Sequence, residues 1–271
     1  MNDQIIEFRG SELLKSEVDI VKELENQVGV EATSRQEAFD LFVPLQFIAH
    51  NNRVTHVTMH KYSSREFPEA LTKLKFLEMI NFTSTELEII PESIGNLINL
   101  KTFAVDKGNI SNLPESLFKL DSLRTLLLQT NKLTLLSPTV SNLEKLEYLF
   151  LSGNQLINLP ESVSGLRALK EMNLSWNLII DLPDSIGELT KLEYLTLSKN
   201  QLVELPESIG NLTSLKELWL HGNKLESLPA SILNLEAFEV LQIDGNPIHE
   251  NPNTEVKKIL DGLRNNGVKI D

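Results

Sequence analysis

The stretch LEYLTLSKNQLVELPESIGNLTS, residues 192–214, decides the fold of this chain. The same 23-residue pattern is written eight times without a gap over residues 54–237, and a ninth copy begins at Phe238 before the pattern stops. A period of this length is typical of repeat proteins, in which each repeat packs mainly on its neighbours. The sequence therefore predicts one elongated domain built from stacked repeats.

Seven positions of each repeat are apolar. In the quoted copy they are Leu192, Leu195, Leu197, Leu202, Leu205, Ile209 and Leu212. The first three supply a short strand that faces the core, and the other four return the chain over a core one repeat thick. Each buried aliphatic side chain contributes about 1.5–3 kcal/mol. Because only stacked neighbours can bury so many of them, one repeat alone would not fold.

The ninth position of the repeat is asparagine in six successive copies. These residues are Asn131, Asn154, Asn177, Asn200, Asn223 and Asn246. A side-chain amide at the end of a strand can both donate to and accept from the backbones of adjacent turns. The spacing therefore predicts a structural asparagine ladder. Tyr62, Thr85 and Gly108 hold this position in the first three repeats, and we expect less regular turns there.

Proline follows at the fifteenth position in seven of the eight full repeats. An acidic residue comes directly after most of these prolines: Glu69, Glu92, Glu115, Glu161, Asp184 and Glu207. Proline and an acidic side chain both suit the first turn of a short helix. We interpret this acidic row as support for backbone N–H groups and not as a metal site. His56 and His60 are also no metal pair, because four residues of strand separate them by about 13 Å.

The residues before the repeats predict a cap. Ser11 or Ser16 can cap a first helix that stops at Gly29. A second helix is predicted after Ser34, and two extended runs around Asn51-Asn52 predict a hairpin whose second strand is the first strand of the solenoid.

After the last repeat strand, Thr254 can cap a final helix. The predicted organisation is a helical cap with a hairpin strand over residues 1–53, a solenoid over residues 54–249 and a cap helix over residues 250–271.

The composition argues against several functions. The net charge is -13 and there is no basic stripe, so nucleic acid is not an expected ligand. No apolar run approaches the roughly 20 residues that span a bilayer, and the acidic start of the chain is unlike a secretory signal. Cysteine is absent, which removes disulfides and thiolate chemistry. We expect a cytoplasmic monomer with no cofactor, no metal ion and no membrane partner.

The pattern LxxLxLxxNxLxxLPxxIxxLxx resembles that of leucine-rich-repeat proteins over residues 54–248. The LPESIGNL form at residues 205–212 is similar to that of the intracellular Ras-group subclass and its archaeal and bacterial relatives. The resemblance implies an α/β fold, a right-handed solenoid curved as a horseshoe with a parallel β-sheet on its concave side. It also implies a non-enzymatic scaffold that binds other proteins. A Ras-like small GTPase as partner rests on family analogy alone.

A partner would meet the strand residues that point away from the core, at positions three, five, seven and eight. Both tryptophans and two of the three tyrosines fall on these positions. Tyr and Trp anchor interfaces because each has a large apolar body with one polar tip. The candidate partner-binding residues are Leu127, Tyr148, Phe150, Glu171, Asn173, Trp176, Tyr194, Thr196, Trp219 and His221. Position two carries charges of nearly alternating sign from Lys101 to Glu239, which we interpret as cross-strand pairing.

Two alternatives remain open at this point. Ser198, His221 and Asp244 stand at position seven of three consecutive repeats and have the residue types of a hydrolase triad. A triad is recognised by its hydrogen-bond geometry and an oxyanion hole, so the residue types alone are a weak argument. Alternatively, the aromatic residues could be buried in a homodimer.

Overall fold

The computed structural model describes residues 3–35, 40, 43–250 and 252–271. The chain divides into two compact units, Met1–Lys132 and Leu133–Asp271.

The first unit contains one α-helix and eight strands among its described residues. They are β1 (Ile5–Phe8), β2 (Ser11–Leu14), α1 (Lys15–Val28), β3 (Thr33–Arg35), β4 (Leu45–His50), β5 (Arg53–His60), β6 (Met79–Thr83), β7 (Thr102–Asp106) and β8 (Thr125–Leu127). Strands β1 and β2 form an antiparallel hairpin. Strands β3 to β8 follow one another in a sheet that is parallel except at the β4–β5 hairpin.

The second unit contains six parallel strands and two α-helices among its described residues. They are β9 (Tyr148–Phe150), β10 (Glu171–Asn173), β11 (Tyr194–Thr196), β12 (Glu217–Trp219), β13 (Val240–Gln242), α2 (Pro247–Glu250), α3 (Thr254–Asn265) and β14 (Lys269–Ile270). From β9 to β13 the strands pair with a register of one repeat, so that Tyr194 lies between Glu171 and Glu217. Equivalent positions of neighbouring repeats are therefore neighbours in space.

A short 3₁₀ helix returns the chain in each full repeat. These helices are Glu69–Lys73, Glu92–Asn96, Glu115–Lys119, Pro138–Asn142, Glu161–Gly165, Asp184–Glu188, Glu207–Asn211 and Ala230–Asn234. The carboxylate of Glu92 accepts from the N–H groups of Glu115 and Ser116 at 3.2 and 3.0 Å, as expected for backbone support. In the fourth repeat, where Ser137 replaces proline, its hydroxyl caps the turn by accepting from the N–H of Thr139.

The core of each unit is made by the seven apolar positions. The strand residues Leu149, Leu195 and Leu218 are fully buried, and so are Ile209 and Leu212 from the return segment. Strand residues between the core positions stay partly exposed, which gives the burial alternation expected for a sheet covered on one face.

The asparagines at position nine bridge adjacent repeats through buried hydrogen bonds. Asn177 Oδ1 accepts from the N–H of Leu156 at 3.0 Å. Its Nδ2 donates to the carbonyls of Leu151 and Leu174 at 3.0 and 2.9 Å. Asn200, Asn223 and Asn246 repeat this arrangement on their own neighbours. Each amide thus serves backbone groups that would otherwise be buried without a partner.

Strand length follows the residue at position nine. Strands β6 and β7, in repeats with Thr85 and Gly108, span five residues each, whereas β8 to β13 span three each. In the asparagine repeats, the position-six carbonyl accepts from asparagine amides and is withdrawn from the strand ladder. Thr85 takes over part of the role of the asparagine, because its hydroxyl donates to the carbonyl of Tyr62 and accepts from the N–H of Leu87.

The N-terminal cap corrects part of the prediction. Neither serine caps α1: Ser11 lies in β2, and Ser16 lies inside the helix and hydrogen-bonds Asp3. The reason is that β2 leads straight into α1, so the residue before the helix is Leu14, without a side-chain cap. Gly29 ends the helix in the left-handed conformation, as predicted, with φ 77°.

The β4–β5 hairpin forms as predicted, with Asn51 and Asn52 at φ 50° and 64°. Ser34 lies in β3, whereas most of the second helix predicted after it lies outside the described residues.

The C-terminal cap contains the predicted helix with a different capping residue. Helix α3 begins at Thr254, but the side chain of Asn253 accepts from the N–H of Val256 at 2.9 Å. Strand β14, which sequence analysis missed, follows this helix and pairs with β13.

We predict that Asn177→Ala lowers the free energy of unfolding by at least about 2 kcal/mol. The change leaves the N–H of Leu156 buried without an acceptor and removes one of two donors from each of two carbonyls. Urea unfolding followed by circular dichroism measures the loss. Asn211→Ala, at an exposed position, is the matched control and should change stability by less than about 0.5 kcal/mol. Equal effects of the two substitutions would contradict a structural ladder.

Candidate partner-binding face

Nine of the ten predicted partner-binding residues lie together on the second unit. We call this surface the open sheet face; it consists of Tyr148, Phe150, Glu171, Asn173, Trp176, Tyr194, Thr196, Trp219 and His221. They stand on strands β9 to β12 and on the turns that follow, and each is exposed or half-buried. Leu127 belongs to the first unit, where it is half-buried at the equivalent position of β8.

The register places these side chains in two rows across the strands. One row runs Tyr148, Glu171, Tyr194 and Glu217, and the other runs Phe150, Asn173, Thr196 and Trp219. Neighbours within a row are about 4.8 Å apart. A large aromatic surface with interspersed polar groups is therefore presented on one side of the sheet.

The aromatic residues are accessible to a partner. Trp176 is 64% exposed, Trp219 38% and Tyr148 36%. Polar neighbours hold several rings in place: Trp219 Nε1 donates to the carboxylate of Glu217 at 2.9 Å, and Lys216 Nζ lies 5.9 Å from the centre of the Tyr194 ring. Rings that are held before binding lose less conformational entropy when a partner arrives.

Charge on this part of the sheet is balanced at position two and unbalanced at position three. At position two, Lys170 pairs with Glu147 at 2.6 Å and Lys216 with Glu193 at 2.5 Å, as predicted. At position three, Glu171 and Glu217 flank Tyr194, and among the described residues neither carboxylate has a basic partner. Burial raises the pKa of Glu171, and the negative charge of Glu217 raises it further. A cationic group placed between these carboxylates would relieve their repulsion.

Two of the three residues of the hydrolase alternative, His221 and Asp244, contact each other. His221 Nδ1 lies 2.5 Å from a carboxylate oxygen of Asp244, on the neighbouring repeat. In the part of the chain that the structure describes, the hydroxyl of Ser198 makes no hydrogen bond to His221. The geometry therefore contains a histidine–carboxylate pair and no activated serine.

The described residues hold neither a metal-binding cluster nor a membrane-spanning helix. In the described ranges, no group of three or more His, Asp or Glu side chains is arranged to hold a metal ion. His50 and His56 are bridged by the hydroxyl of Thr55, which lies 2.8 Å from Nδ1 of each ring. None of the described helices is both long and apolar enough to cross a membrane.

Trp176 has a backbone conformation that sequence analysis did not foresee. Position eight has a positive φ in all nine repeats, and glycine occupies it at Gly153, Gly222 and Gly245. Trp176 adopts φ 59° there. The left-handed conformation costs a non-glycine residue roughly 1–2 kcal/mol. Lys61, Ser84, Lys107, Thr130 and Lys199 adopt the same conformation, so what favours a role of Trp176 in binding is the exposure of its large aromatic ring. The glycines at the same position of neighbouring repeats carried the signal of this backbone conformation in the sequence.

Two family models match the sequence. One, described as a leucine-rich repeat region, matches residues 135–265, and the other, described as a leucine-rich repeat, matches residues 98–156. The chain is a leucine-rich-repeat protein. The closer resemblance to the Ras-group subclass stays a prediction. A search of curated proteins returned no match.

Solved structures share the fold of this leucine-rich-repeat protein. A leucine-rich-repeat protein of Leptospira interrogans has a TM-score of 0.65 and 28% identity, over 83% of this chain and 60% of the other. The plant peptide hormone receptor RGFR1, in complex with RGF2, has a TM-score of 0.64 and 32% identity, over 69% of this chain and 31% of the receptor. An internalin from Listeria monocytogenes has a TM-score of 0.61 and 17% identity, over 79% of this chain and 66% of the internalin. At this identity the similarity shows the fold alone.

These similarities confirm the predicted α/β leucine-rich-repeat solenoid. The chain spans 60% of the Leptospira protein and 31% of the plant receptor. Leucine-rich repeats generally provide extended surfaces for protein–protein interaction and not catalytic sites.

We predict that Trp176→Asn retains the stability of the protein or raises it by up to about 1 kcal/mol. Asparagine tolerates a positive φ better than tryptophan does, and little buried surface is lost because the ring is largely exposed. Thermal and urea unfolding measure the change. A loss of more than about 2 kcal/mol would show that Trp176 is a packing residue, which would remove it from the open sheet face.

Proposed function

We propose that this leucine-rich-repeat protein is a non-enzymatic scaffold that binds a protein partner on the open sheet face. The observation that carries the proposal is the exposure of Tyr148, Trp176 and Trp219 on outward positions of three repeats out of four consecutive ones. The fold does not require aromatic residues there, since Glu171 is equivalent to Tyr148, Thr196 to Trp219 and Gly153 to Trp176 in other repeats. Large aromatic side chains with a polar tip are the residue types that dominate binding energy in interfaces.

The charge of the face indicates what the partner presents. Glu171 and Glu217 lie on either side of Tyr194 without a basic partner among the described residues. A Lys or Arg side chain of the partner would pair with these carboxylates and lie against the tyrosine ring. We therefore propose a partner surface with an apolar centre and at least one basic residue.

The structural neighbours support a protein or peptide ligand. The plant receptor was solved in complex with RGF2. We assign RGF2 to that receptor and not to this chain. A Ras-like small GTPase is the first defined partner to test, because the LPESIGNL form resembles the Ras-group subclass. A cytoplasmic location is part of the same proposal.

We predict that replacing Tyr148, Tyr194 and Trp219 together with alanine abolishes partner capture from an extract of the native cell. The stability of the variant should stay within about 1 kcal/mol of the wild type, because these side chains are exposed or half-buried. Affinity capture followed by mass spectrometry identifies the proteins that are lost, and titration calorimetry with the purified protein then measures affinity.

Leu233→Ala is the control, since Leu233 is 36% exposed and lies on a 3₁₀ helix of the return segment. It should capture the same proteins as the wild type. Undiminished capture by the triple variant would overturn the site. Sedimentation at two concentrations tests whether the aromatic residues instead serve a homodimer, which would appear as concentration-dependent mass lost in the triple variant.

A further inference from the structure

The second unit has a second exposed apolar surface, outside the open sheet face. We call it the edge ridge; it consists of Ile157, Leu178, Ile180 and Val203. Each of these side chains is between 44% and 48% exposed. Ile157, Ile180 and Val203 hold position twelve of three consecutive repeats. Leu178 precedes Ile180 by two residues, with Ile179 buried between them.

The fold does not require an apolar residue at position twelve. The other five full repeats have polar or charged residues there: Arg65, Glu88, Ser111, Thr134 and Glu226. The core positions around it are buried in the ridge repeats and in the others alike, for example Ile179 and Leu225. At position twelve, apolar side chains are therefore confined to three adjacent repeats, where they are exposed. A contiguous exposed apolar surface marks an interaction site more often than a structural need.

The spacing of the ridge suits a helix. The N–H of Ile180 donates to the carbonyl of Ile157 at 3.1 Å, so the two backbones are hydrogen-bonded neighbours. Such neighbours are about 4.8 Å apart. Side chains at positions i and i+4 of an α-helix are about 5–6 Å apart. One apolar stripe of a helix that lies along the ridge would thus contact each ridge residue in turn.

An acidic groove of about 440 Å³ lies directly beside the ridge. Its wall contains Asp181 and Glu204, each of which follows a ridge residue in sequence, together with Glu161 and Asp184. The lining includes no Lys or Arg. In the part of the chain that the structure describes, Asp181, Asp184 and Glu204 take part in no ion pair. A second groove of about 430 Å³ shares Glu204 and adds further carboxylates.

We propose that the edge ridge and the acidic groove bind a basic amphipathic helix of a partner protein. The apolar stripe of the helix covers the ridge, and Lys or Arg side chains that flank this stripe reach the carboxylates of the groove. A second copy of this chain is a poor occupant, because two chains of net charge -13 repel each other and neither has a basic stripe. The site is independent of the open sheet face.

The test uses a synthetic helical peptide of leucine and lysine, with leucines at i, i+3 and i+4 spacing, and the same peptide with glutamate in place of lysine. Titration calorimetry with the full chain should detect binding of the lysine peptide and not of the glutamate peptide.

Two triple variants test the surface: Ile157→Ser, Ile180→Ser and Val203→Ser for the ridge, and Asp181→Asn, Asp184→Asn and Glu204→Gln for the groove. Each should weaken binding of the lysine peptide at least about tenfold.

Matched controls separate this site from general attraction between opposite charges. Glu236→Gln, Glu239→Gln and Glu250→Gln remove the same number of exposed charges from the second unit, and Leu233→Ser removes an exposed apolar residue from another surface. They should change affinity less than about threefold, and so should the Tyr148, Tyr194 and Trp219 alanine variant. Circular dichroism confirms that each variant is folded. Equal weakening by the controls, or binding of the glutamate peptide, would overturn the proposal.

Discussion

The side-chain amide at position nine is the interaction on which the regular repeats depend. In each asparagine repeat of the second unit, it accepts from a buried backbone N–H of the preceding repeat and donates to position-six carbonyls. A strand that turns sharply into the core leaves these backbone groups without partners, and buried groups without partners are costly. Only a side chain with a donor and an acceptor on one short stem can serve both, which explains the uniform asparagine.

This constraint separates residues that hold the fold from residues that can vary. Once the asparagine and the apolar positions fix the backbone, positions three, five, seven and twelve are free to differ between repeats, and position eight differs between repeats while keeping a positive φ. In the second unit they hold the aromatic rings of the open sheet face and the aliphatic side chains of the edge ridge. The charged residues divide in the same way. The charges at position two are paired across strands, whereas the carboxylates of Glu171, Glu217 and the acidic groove are available to partners.

The sequence predicted the repeat strands, the short helical turns that return the chain and the asparagine ladder, because each follows from the period and from local chemistry. It missed the β1–β2 hairpin, β3 and β14, whose pairing partners were not evident from any local pattern. It assigned the helix caps to Ser11 or Ser16 and to Thr254, whereas the residues before the helices are Leu14, which gives no side-chain cap, and Asn253, since shifts of one to three residues leave the apolar pattern unchanged. The ridge was also missed: the polar residues at position twelve of the other repeats mark the position as solvent-facing, but only the structure shows that its three apolar side chains are exposed beside an acidic groove.

Amide hydrogen exchange followed by NMR tests the central role of the asparagine ladder most directly. The N–H groups of Leu156, Ile179, Leu202 and Leu225 donate to asparagine side chains and to no backbone carbonyl among the described residues. If the ladder holds the repeats together, these amides exchange as slowly as those of the core strands, through opening of the whole unit. Exchange close to the rate of an unstructured peptide would contradict the account.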